Sequence, residues 1–239
     1  MKVTDEFKNR FYYHGTYKRS NAQNIQQSGC LIPGRSSYFG EYKPIDGMVY
    51  ITPDPRIGIL YSFGYTTLEE WEGLNMPQSF QNEYGQYICI IDGKNLRDIR
   101  PDEDFMAFAL HECFVDRYSR ENRKYSTPDE LDIMTEEHWN NAKSYIDSNN
   151  VFNRNDIKKY SRNNCTGLFE FCLKKSKVWI SKMTDSETEF WLKTGCSIAH
   201  KGNLAIEEMR IINFFDKNIE PTEIINSSEI IYKKTIKTN

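Results

Sequence analysis

A histidine followed by a glycine ends an aromatic run near the start of the chain. The sequence reads FYYHGT from Phe11 to Thr16, with His14 and Gly15 before the threonine. An imidazole donates or accepts hydrogen bonds, and a glycine lets a ligand approach the backbone N–H and C=O groups closely. His14, Gly15 and Thr16 are therefore candidate ligand contacts. A strand that simply ends in a turn is the alternative.

Two tyrosines form a second candidate feature. Tyr50 lies in the apolar segment GMVYITPD, and Tyr61 follows eleven residues later in PRIGILYSFG. We expect a strand over the first segment, bounded by Gly47 and Pro53, and a short helix over the second. A strand that turns back through a short helix can place the two phenol rings face to face on either side of a slot. A planar cation in this slot would gain ~1–2 kcal/mol from stacking and cation–π attraction. Two tyrosines at the edge of the core would have the same pattern.

Two glutamates supply candidate carboxylates. Glu187 and Glu189 alternate with Ser186 and Thr188 in SETEFWLKTG. In an extended segment residues i and i+2 share a face, so both carboxylates would point the same way. Neighbouring like charges drive pKa values apart and give two carboxylates different roles. A solvated acidic edge is the alternative.

Composition limits the remaining chemistry. The chain has 239 residues and a formal charge of −3, which argues against a global affinity for polyanions. The six cysteines are dispersed, with no CxxC pair and no histidines at zinc spacing, so we expect reduced thiols and no metal. The N-terminal segment MKVTDEFKNR lacks an apolar signal region, and no run approaches the roughly 18–20 apolar residues of a membrane span. We expect a cytoplasmic protein, or one delivered into a host cytoplasm without a signal peptide.

Strand patterns flank a helical block. The predicted strands lie at 10–16, 47–54, 85–92, 177–182, 188–195, 207–215 and 229–236. The predicted helices lie at 21–29 and 55–64, and 101–165 is mostly helical. Strands before and after a helical block predict an α+β fold. We expect one domain over 1–239 with a helical insertion at about 101–165.

In this order, the motifs resemble those of the ADP-ribosyltransferase family. YHGT, VYITPD with its later tyrosine, and TEFWLK are similar to the His-Tyr-Glu signature of the diphtheria-toxin and poly(ADP-ribose)-polymerase branch. The resemblance covers 11–64, 85–92 and 177–214, and the helical block has no counterpart in it. It implies a split β-sandwich around an NAD cleft, with a helical insertion.

The resemblance also implies roles for the matched residues. His14 looks like the histidine that contacts the adenosine-side ribose of NAD, and Gly15 like the glycine whose backbone pairs with the nicotinamide carboxamide. Tyr50 and Tyr61 look like the two stacking tyrosines. With these residues, Thr16 and Thr52 complete the expected NAD contacts.

The implied catalytic carboxylate is Glu189. Glu187 resembles the first glutamate of the Glu-x-Glu pair in the arginine-modifying branch, to which cholera toxin belongs. In IEEMRI, Glu207 and Glu208 offer a rival start to the catalytic strand. We prefer Glu189 because EFWLKTGCSIAHKGNLAIEEMRII reads as strand, loop and return strand, like the family's catalytic hairpin.

The sequence departs from both branches. Gly58 stands where the polymerase branch often has a serine that bonds the nicotinamide amide. The arginine-modifying branch begins with arginine where this chain has His14, and it has Ser-Thr-Ser where this chain has Tyr50, Ile51 and Thr52.

The implied activity is mono-ADP-ribosyl transfer, of the kind found in toxins and effectors. NAD is the substrate, no metal takes part, and the nicotinamide–ribose bond is cleaved. Glu189 would stabilise the oxocarbenium-like charge through the ribose 2′-hydroxyl, and Glu187 would orient the acceptor. The acceptor is a macromolecule, with protein favoured over nucleic acid. An NAD glycohydrolase, an inactive binding module of the same fold and an unrelated α+β interaction domain are the alternatives.

A basic segment precedes these glutamates. Residues 154–182 carry eight positive and two negative side chains. Such a segment could dock an acidic protein surface or a nucleic acid. A solvated helical face accounts for it equally well.

Overall fold

The computed structural model describes seven stretches of the chain, which are 3–33, 45–62, 84–118, 136–160, 167–195, 197–212 and 218–235. They form a mixed α/β structure with antiparallel sheets, which agrees with the predicted α+β class. The chain divides into two compact units. The helical unit comprises Arg100–Ala199 and the described residues at 45–46, and the sheet unit comprises Lys2–Gly34, Gly47–Ile99 and His200–Asn239.

The described strands, in chain order, are β1 (Phe11–Lys18), β2 (Cys30–Leu31), β3 (Met48–Ile51), β4 (Tyr84–Asp92), β5 (Ile99–Pro101), β6 (Ile198–Lys201), β7 (Leu204–Ala205), β8 (Glu208–Ile211) and β9 (Glu229–Lys233). The described helices are α1 (Asp5–Lys8), α2 (Arg19–Ser28), α3 (Pro55–Ser62), α4 (Glu103–Tyr118), α5 (Glu136–Ser148), α6 (Arg154–Tyr160), α7 (Leu168–Ile180), α8 (Asp185–Thr194) and α9 (Pro221–Ser227). A 3₁₀ turn occupies Gly93–Asn95.

The largest sheet has the strand order β1-β4-β8-β9, with neighbours antiparallel. In its register Tyr13 lies opposite Ile90, which lies opposite Glu208. Successive side chains of a strand point to opposite faces, so these three side chains share one face and His14 points to the other. Two smaller sheets have the orders β2-β7 and β3-β6-β5.

Helix α3 packs on this sheet in the sheet unit. Its Ile59 belongs to a buried aliphatic cluster with Ile88, Ile212, Ile224 and Ile225. These side chains come from α3, β4, the residue after β8 and α9. Their burial fixes α3 against β1 and β4, which is the contact that positions the candidate site.

The helical unit is built around the pairing of α4 with α7, and α5 packs on α4 and α8. Its core includes Phe114 and Leu110 of α4, Cys172 of α7 and Trp191 of α8, all without exposed surface. Helix α4 is apolar over most of its circumference, as expected for a helix enclosed by others.

Most predicted elements are confirmed where the structure describes them. β1, β3, β4, β8, β9, α2 and α3 lie at predicted positions, and α4, α5 and α6 lie within the predicted helical block. The predicted helix at 55–64 and the strands at 207–215 and 229–236 also include residues outside the described stretches.

Two predicted strands are wrong. Residues 177–180 are the last turn of α7, and 185–194 form α8, so the helices continue well beyond position 165. Helix α8 begins with a capping box, in which Thr184 and Glu187 bond reciprocally to each other's backbone N–H. The spacing Thr-x-x-Glu before an apolar run is visible in the sequence, and it favours a helix over the strand suggested by Phe190 and Trp191.

Within the part of the chain that the structure describes, none of the helices combines the length and the apolar character needed to cross a bilayer.

Candidate functional site

The candidate residues of the sheet unit meet where β1 passes β3. The Tyr13 N–H donates to the Thr52 carbonyl at 2.8 Å, and the Thr52 N–H donates to the Tyr13 carbonyl at 3.0 Å. This pair is an isolated antiparallel bridge. It places Thr52, and Tyr50 two residues before it, beside His14 and Gly15.

His14 is oriented by the backbone of β3. Its Nδ1 lies 2.8 Å from the Tyr50 carbonyl oxygen. A carbonyl only accepts, so Nδ1 carries the proton and Nε2 is left as an acceptor. Burial lowers the pKa of His14 against the opposing effect of the bond to Tyr50, which favours this neutral form at pH 7.

Gly15 is a point of very close packing between β1 and α3. A Cβ at this position would lie 2.2 Å from the Gly58 carbonyl oxygen, 2.3 Å from the Ser62 nitrogen and 2.6 Å from the Tyr61 carbonyl carbon. Only glycine lets the helix approach so near. The same contact brings the last turn of α3, which carries Tyr61, next to His14-Gly15.

Gly58 is explained by the neighbouring contact. A Cβ on Gly58 would lie 2.6 Å from the Cβ of Tyr13. A serine at position 58 would therefore collide with Tyr13 unless α3 moved away from β1. Gly58 thus has a packing cause in this chain.

The two tyrosines and two threonines differ in exposure. Tyr50 and Tyr61 are half-buried, whereas Thr16 and Thr52 are buried. The structure thus brings Thr52 and the Tyr50 carbonyl to His14, and it brings the main chain of Tyr61 to Gly15. Thr16 follows Gly15 on β1, and its predicted contact with NAD stays a prediction.

Glu187 anchors the start of α8. Its Oε2 accepts from the Thr184 backbone N–H and hydroxyl, both at 2.8 Å, and its Oε1 accepts from the Tyr145 hydroxyl at 3.2 Å. The backbone N–H of Thr184, followed by the Thr184 hydroxyl, lowers the pKa of Glu187. Tyr145 stacks on Phe190 of the same helix, with ring centroids 4.4 Å apart. These contacts give Glu187 a structural task in the helical unit.

Glu189 lies on the surface of α8. It pairs with Lys193 one turn later at 2.8 Å, and both side chains are more than 40% exposed, at 43% and 44%. Residues two apart on a helix are separated by about 200°, so Glu187 and Glu189 do not share the face expected of a strand. Both glutamates belong to the helical unit, whereas His14 and Tyr61 belong to the sheet unit. The catalytic roles of Glu187 and Glu189 stay predictions. The strand on which their shared orientation was based is a helix in the structure.

The rival glutamates lie in the sheet unit at the start of β8. Glu207 Oε1 accepts from Lys234 Nζ at 2.7 Å and from Asn95 Nδ2 at 2.9 Å. Burial raises its pKa, but the bonds from Lys234 and Asn95 outweigh this effect and lower it. Glu208 contacts Arg210 Nε and lies 3.7 Å from Lys233 Nζ. Each rival therefore also has cationic partners.

A buried carboxylate pair in the helical unit was missed by the sequence prediction. Asp102 caps α4, since its Oδ1 accepts from the Asp104 N–H at 2.8 Å, and its Oδ2 accepts from the Ser197 hydroxyl at 2.5 Å. Burial, with a smaller effect of the Glu103 charge, raises the pKa of Asp102 to about 6. Glu103 is fully buried and accepts from the Ile45 N–H at 2.8 Å. The acidic run PDED indicates a helix start, but nothing in it signals burial.

We predict that Asp102→Asn stabilises the protein at high pH. A pKa raised from 3.8 to about 6 means that folding favours the protonated carboxyl, so its contribution is complete below pH 3.8 and is lost as pH rises through 6. Asparagine keeps the capping oxygen without the charge, and we expect a gain of about 2–3 kcal/mol at pH 8 and little change at pH 4. Urea unfolding at both pH values measures this difference. The exposed Asp5→Asn is the control, and an equal gain for it, or no gain for Asp102→Asn, would contradict the prediction.

Among the described residues, no group of three or more His, Cys, Asp or Glu side chains is placed to hold a metal ion. The candidate site comprises His14, Gly15, Tyr50 and Thr52 where β1 is bridged to the segment of β3, together with Tyr61 on the turn of α3 that packs on Gly15. Comparisons with protein-family models, with curated proteins and with solved structures found no match for this chain.

Proposed function

We propose that this protein is an NAD-dependent mono-ADP-ribosyltransferase, which cleaves the nicotinamide–ribose bond and transfers ADP-ribose to a macromolecular acceptor. One observation carries the proposal. The tyrosine-bearing last turn of α3 packs on Gly15 of the edge strand β1, directly after a histidine that burial and the Tyr50 carbonyl keep neutral, and the resemblance of the sequence to that family implies this combination.

The backbone of β1 supports a carboxamide contact at Gly15. Tyr13 directs its N–H and C=O to Thr52 of the β3 segment. In an antiparallel strand, backbone groups two residues apart point to the same edge. The N–H and C=O of Gly15 thus point toward β3, where Tyr50 lies. A primary carboxamide has one donor and one acceptor face, which suits such a backbone pair.

His14 supports a hydroxyl contact at the other end of the ligand. With Nδ1 bonded to the Tyr50 carbonyl, Nε2 can only accept. A ribose hydroxyl donates to such a lone pair, whereas a phosphate or carboxylate has no proton to offer at neutral pH. The tautomer thus matches the ribose contact implied by the resemblance.

The chemistry also requires a carboxylate. Nicotinamide leaves as a neutral ring from a cationic pyridinium, and the developing charge on the ribose needs a nearby anion. Glu189 is the carboxylate expected from the sequence, and Glu207 and Glu208 are its rivals. All three have cationic partners in the structure, so activity measurements on variants must decide among them.

Nicotinamide release from labelled NAD, measured with and without a cell lysate, tests the activity. Labelled acceptor in the lysate supports transfer, whereas release without labelling supports the NAD glycohydrolase. Glutamine variants of Glu187, Glu189, Glu207 and Glu208 identify the carboxylate, with the unfolding midpoint of each variant recorded. No release by the wild type under either condition contradicts enzymatic cleavage of NAD. Release that survives in all four variants contradicts a catalytic role for these glutamates.

A binding module of the same fold is the second candidate. It is favoured by one specific observation, namely that each candidate glutamate already bonds to a cation or to a helix N-terminus. NAD binding that depends on Tyr61, without nicotinamide release, would establish this function instead.

We predict that Tyr61→Leu weakens NAD binding about fivefold to thirtyfold, because stacking and cation–π attraction are worth ~1–2 kcal/mol. Tyr232→Leu is the matched control. Tyr232 is also a half-buried tyrosine of the sheet unit, but it lies on β9, three strands and about 14 Å from β1. Isothermal titration with NAD measures both variants. Equal affinity in the two variants would remove Tyr61 from the site.

A further inference from the structure

Helices α6 and α7 carry an excess of positive charge that contrasts with the rest of the chain. The described residues at 154–160 and 167–182 contain seven Lys and Arg and two Asp and Glu, a net charge of +5. The whole chain has a formal charge of −3. The positive charge is thus concentrated on one part of the helical unit.

Lys175 of α7 links this helix to α6. Its Nζ lies 3.1 Å from Asp156 Oδ2, and its side chain is only 24% exposed. The same ammonium lies 5.2 Å from the ring centre of Phe171 and 5.8 Å from that of Phe152. Tyr160 packs on Phe171 at 4.8 Å. These contacts hold together the two helices that carry the exposed lysines.

Both acidic side chains of this region are already paired. Asp156 is bound to Lys175, and Glu170 is bound to Lys174 at 2.6 Å. Arg154, Lys158 and Lys182 have no carboxylate partner among the described residues. The exposed cations are called the basic surface here, and they are Arg154, Lys158, Lys159, Lys174 and Lys182.

We propose that the basic surface binds the phosphate backbone of a nucleic acid without reading its sequence. The residue types favour phosphate over an acidic protein. Protein interfaces are built on aromatic and other apolar anchors and are depleted in lysine. In α6 and α7, Val178 is the one large apolar side chain described as exposed, at 54%. Arg154 and Lys158 are about one helical turn apart, about 6 Å along the axis, so two exposed cations lie side by side on one face of α6.

The proposal predicts a steep salt dependence. With about four phosphates neutralised, the logarithm of the association constant should fall with the logarithm of salt with a slope near −3.6 for duplex DNA. The affinity should then drop about a hundredfold between about 50 and 200 mM salt. Fluorescence anisotropy with a labelled duplex of about two helical turns and unrelated sequence measures this slope. A second unrelated duplex should bind equally.

Charge-reversal variants distinguish binding by the basic surface from binding that depends only on the net charge of the protein. The triple variant Lys158→Glu, Lys159→Glu and Lys182→Glu should weaken binding at least about tenfold at low salt and reduce the slope by about two to three. The matched control reverses three exposed lysines of the sheet unit, which are Lys18, Lys94 and Lys201. It produces the same change in net charge and should retain most of the affinity.

Three results would overturn the proposal. The first is a duplex affinity that does not change with salt. The second is an equal loss in both triple variants at unchanged unfolding midpoints, which would indicate net charge alone. The third is tight binding of polyglutamate with none of the duplex, which would indicate an acidic protein partner. The test does not involve NAD, so its outcome is independent of the proposed transferase activity.

Discussion

Gly15→Ala should destabilise the protein by about 3 kcal/mol or more, because the new methyl group meets backbone atoms that cannot rotate away. The Cβ would lie 2.2 Å from the Gly58 carbonyl oxygen and 2.3 Å from the Ser62 nitrogen. Relief requires α3 to lift from β1, which opens the aliphatic cluster around Ile59 and Ile88. Urea unfolding of the variant and the wild type measures the loss.

Gly202→Ala is the control for this substitution. Gly202 has a φ of 82°, and a Cβ added to it would have no atom within 4 Å, so alanine there meets backbone strain and no collision. We expect a cost of roughly 1–2 kcal/mol. Equal losses at the two positions would show that β1 and α3 are not in close contact in solution.

This prediction changes how Gly15 is used as a functional probe. The sequence suggests a glycine kept bare so that nicotinamide can reach its backbone. The structure adds a packing requirement on the same residue. A loss of NAD binding in a Gly15 variant would therefore report the displacement of α3, and Tyr61→Leu is the cleaner test of the site.

Arg210→Met should cost about 2–4 kcal/mol, because it leaves a mostly buried carboxylate without its nearer cation and several helix-end carbonyls without their donor. Arg210 Nη1 donates to the carbonyls of Ile225 and Asn226, both at 2.8 Å, at the end of α9. Its Nε bonds Glu208, and the two side chains are each only 13% exposed. Denaturant unfolding measures the loss.

Arg56→Met is the matched control for the second prediction. Arg56 also bonds an acidic neighbour, Asp54, but its side chain is 52% exposed. Exposed pairs of this kind contribute at most about 1 kcal/mol. The double variant Glu208→Met with Arg210→Met removes both charges and should recover part of the loss. A cost for Arg210→Met no greater than that of the control would contradict a structural role for the pair.

The Arg210 result also bears on the catalytic carboxylate. If Glu208 holds Arg210, and Arg210 holds the end of α9, then Glu208→Gln reduces stability whether or not Glu208 takes part in catalysis. Loss of NAD turnover in that variant therefore identifies a catalytic group only if its fold is intact.

The sequence was sufficient to predict the elements around the candidate site. An apolar run bounded by Gly47 and Pro53 predicted β3, a run closed by the turn DGKN predicted β4, and Pro55 marked the start of α3. These signals are local, since each depends on a few consecutive residues. That His14, Tyr50 and Tyr61 contribute to one site is implied by the resemblance alone and stays a prediction.

The candidate carboxylates were predicted less well for a physical reason. Phe190, Trp191 and Leu192 form a short apolar run, which is compatible with a buried strand or with one helix face. The capping pair Thr184 and Glu187 favours the helix, because it bonds backbone N–H groups that have no hydrogen-bond partner at the start of a helix. The burial of Asp102 depends on Ser197, far away in sequence, so no local pattern could have shown it.

The contact between β1 and α3 at Gly15 also limits which substitutions can change the selectivity of the site. At Gly15 the separation of strand and helix is determined by main-chain atoms, which are common to every amino acid. No rotamer change in a side chain at that point can widen or narrow the gap. Because the main chains of β1 and α3 are already in contact at Gly15, a ligand would lie beside this contact, at the free edge of β1. Differences in selectivity between variants should therefore arise from the rings of Tyr50 and Tyr61 and not from the spacing of β1 and α3.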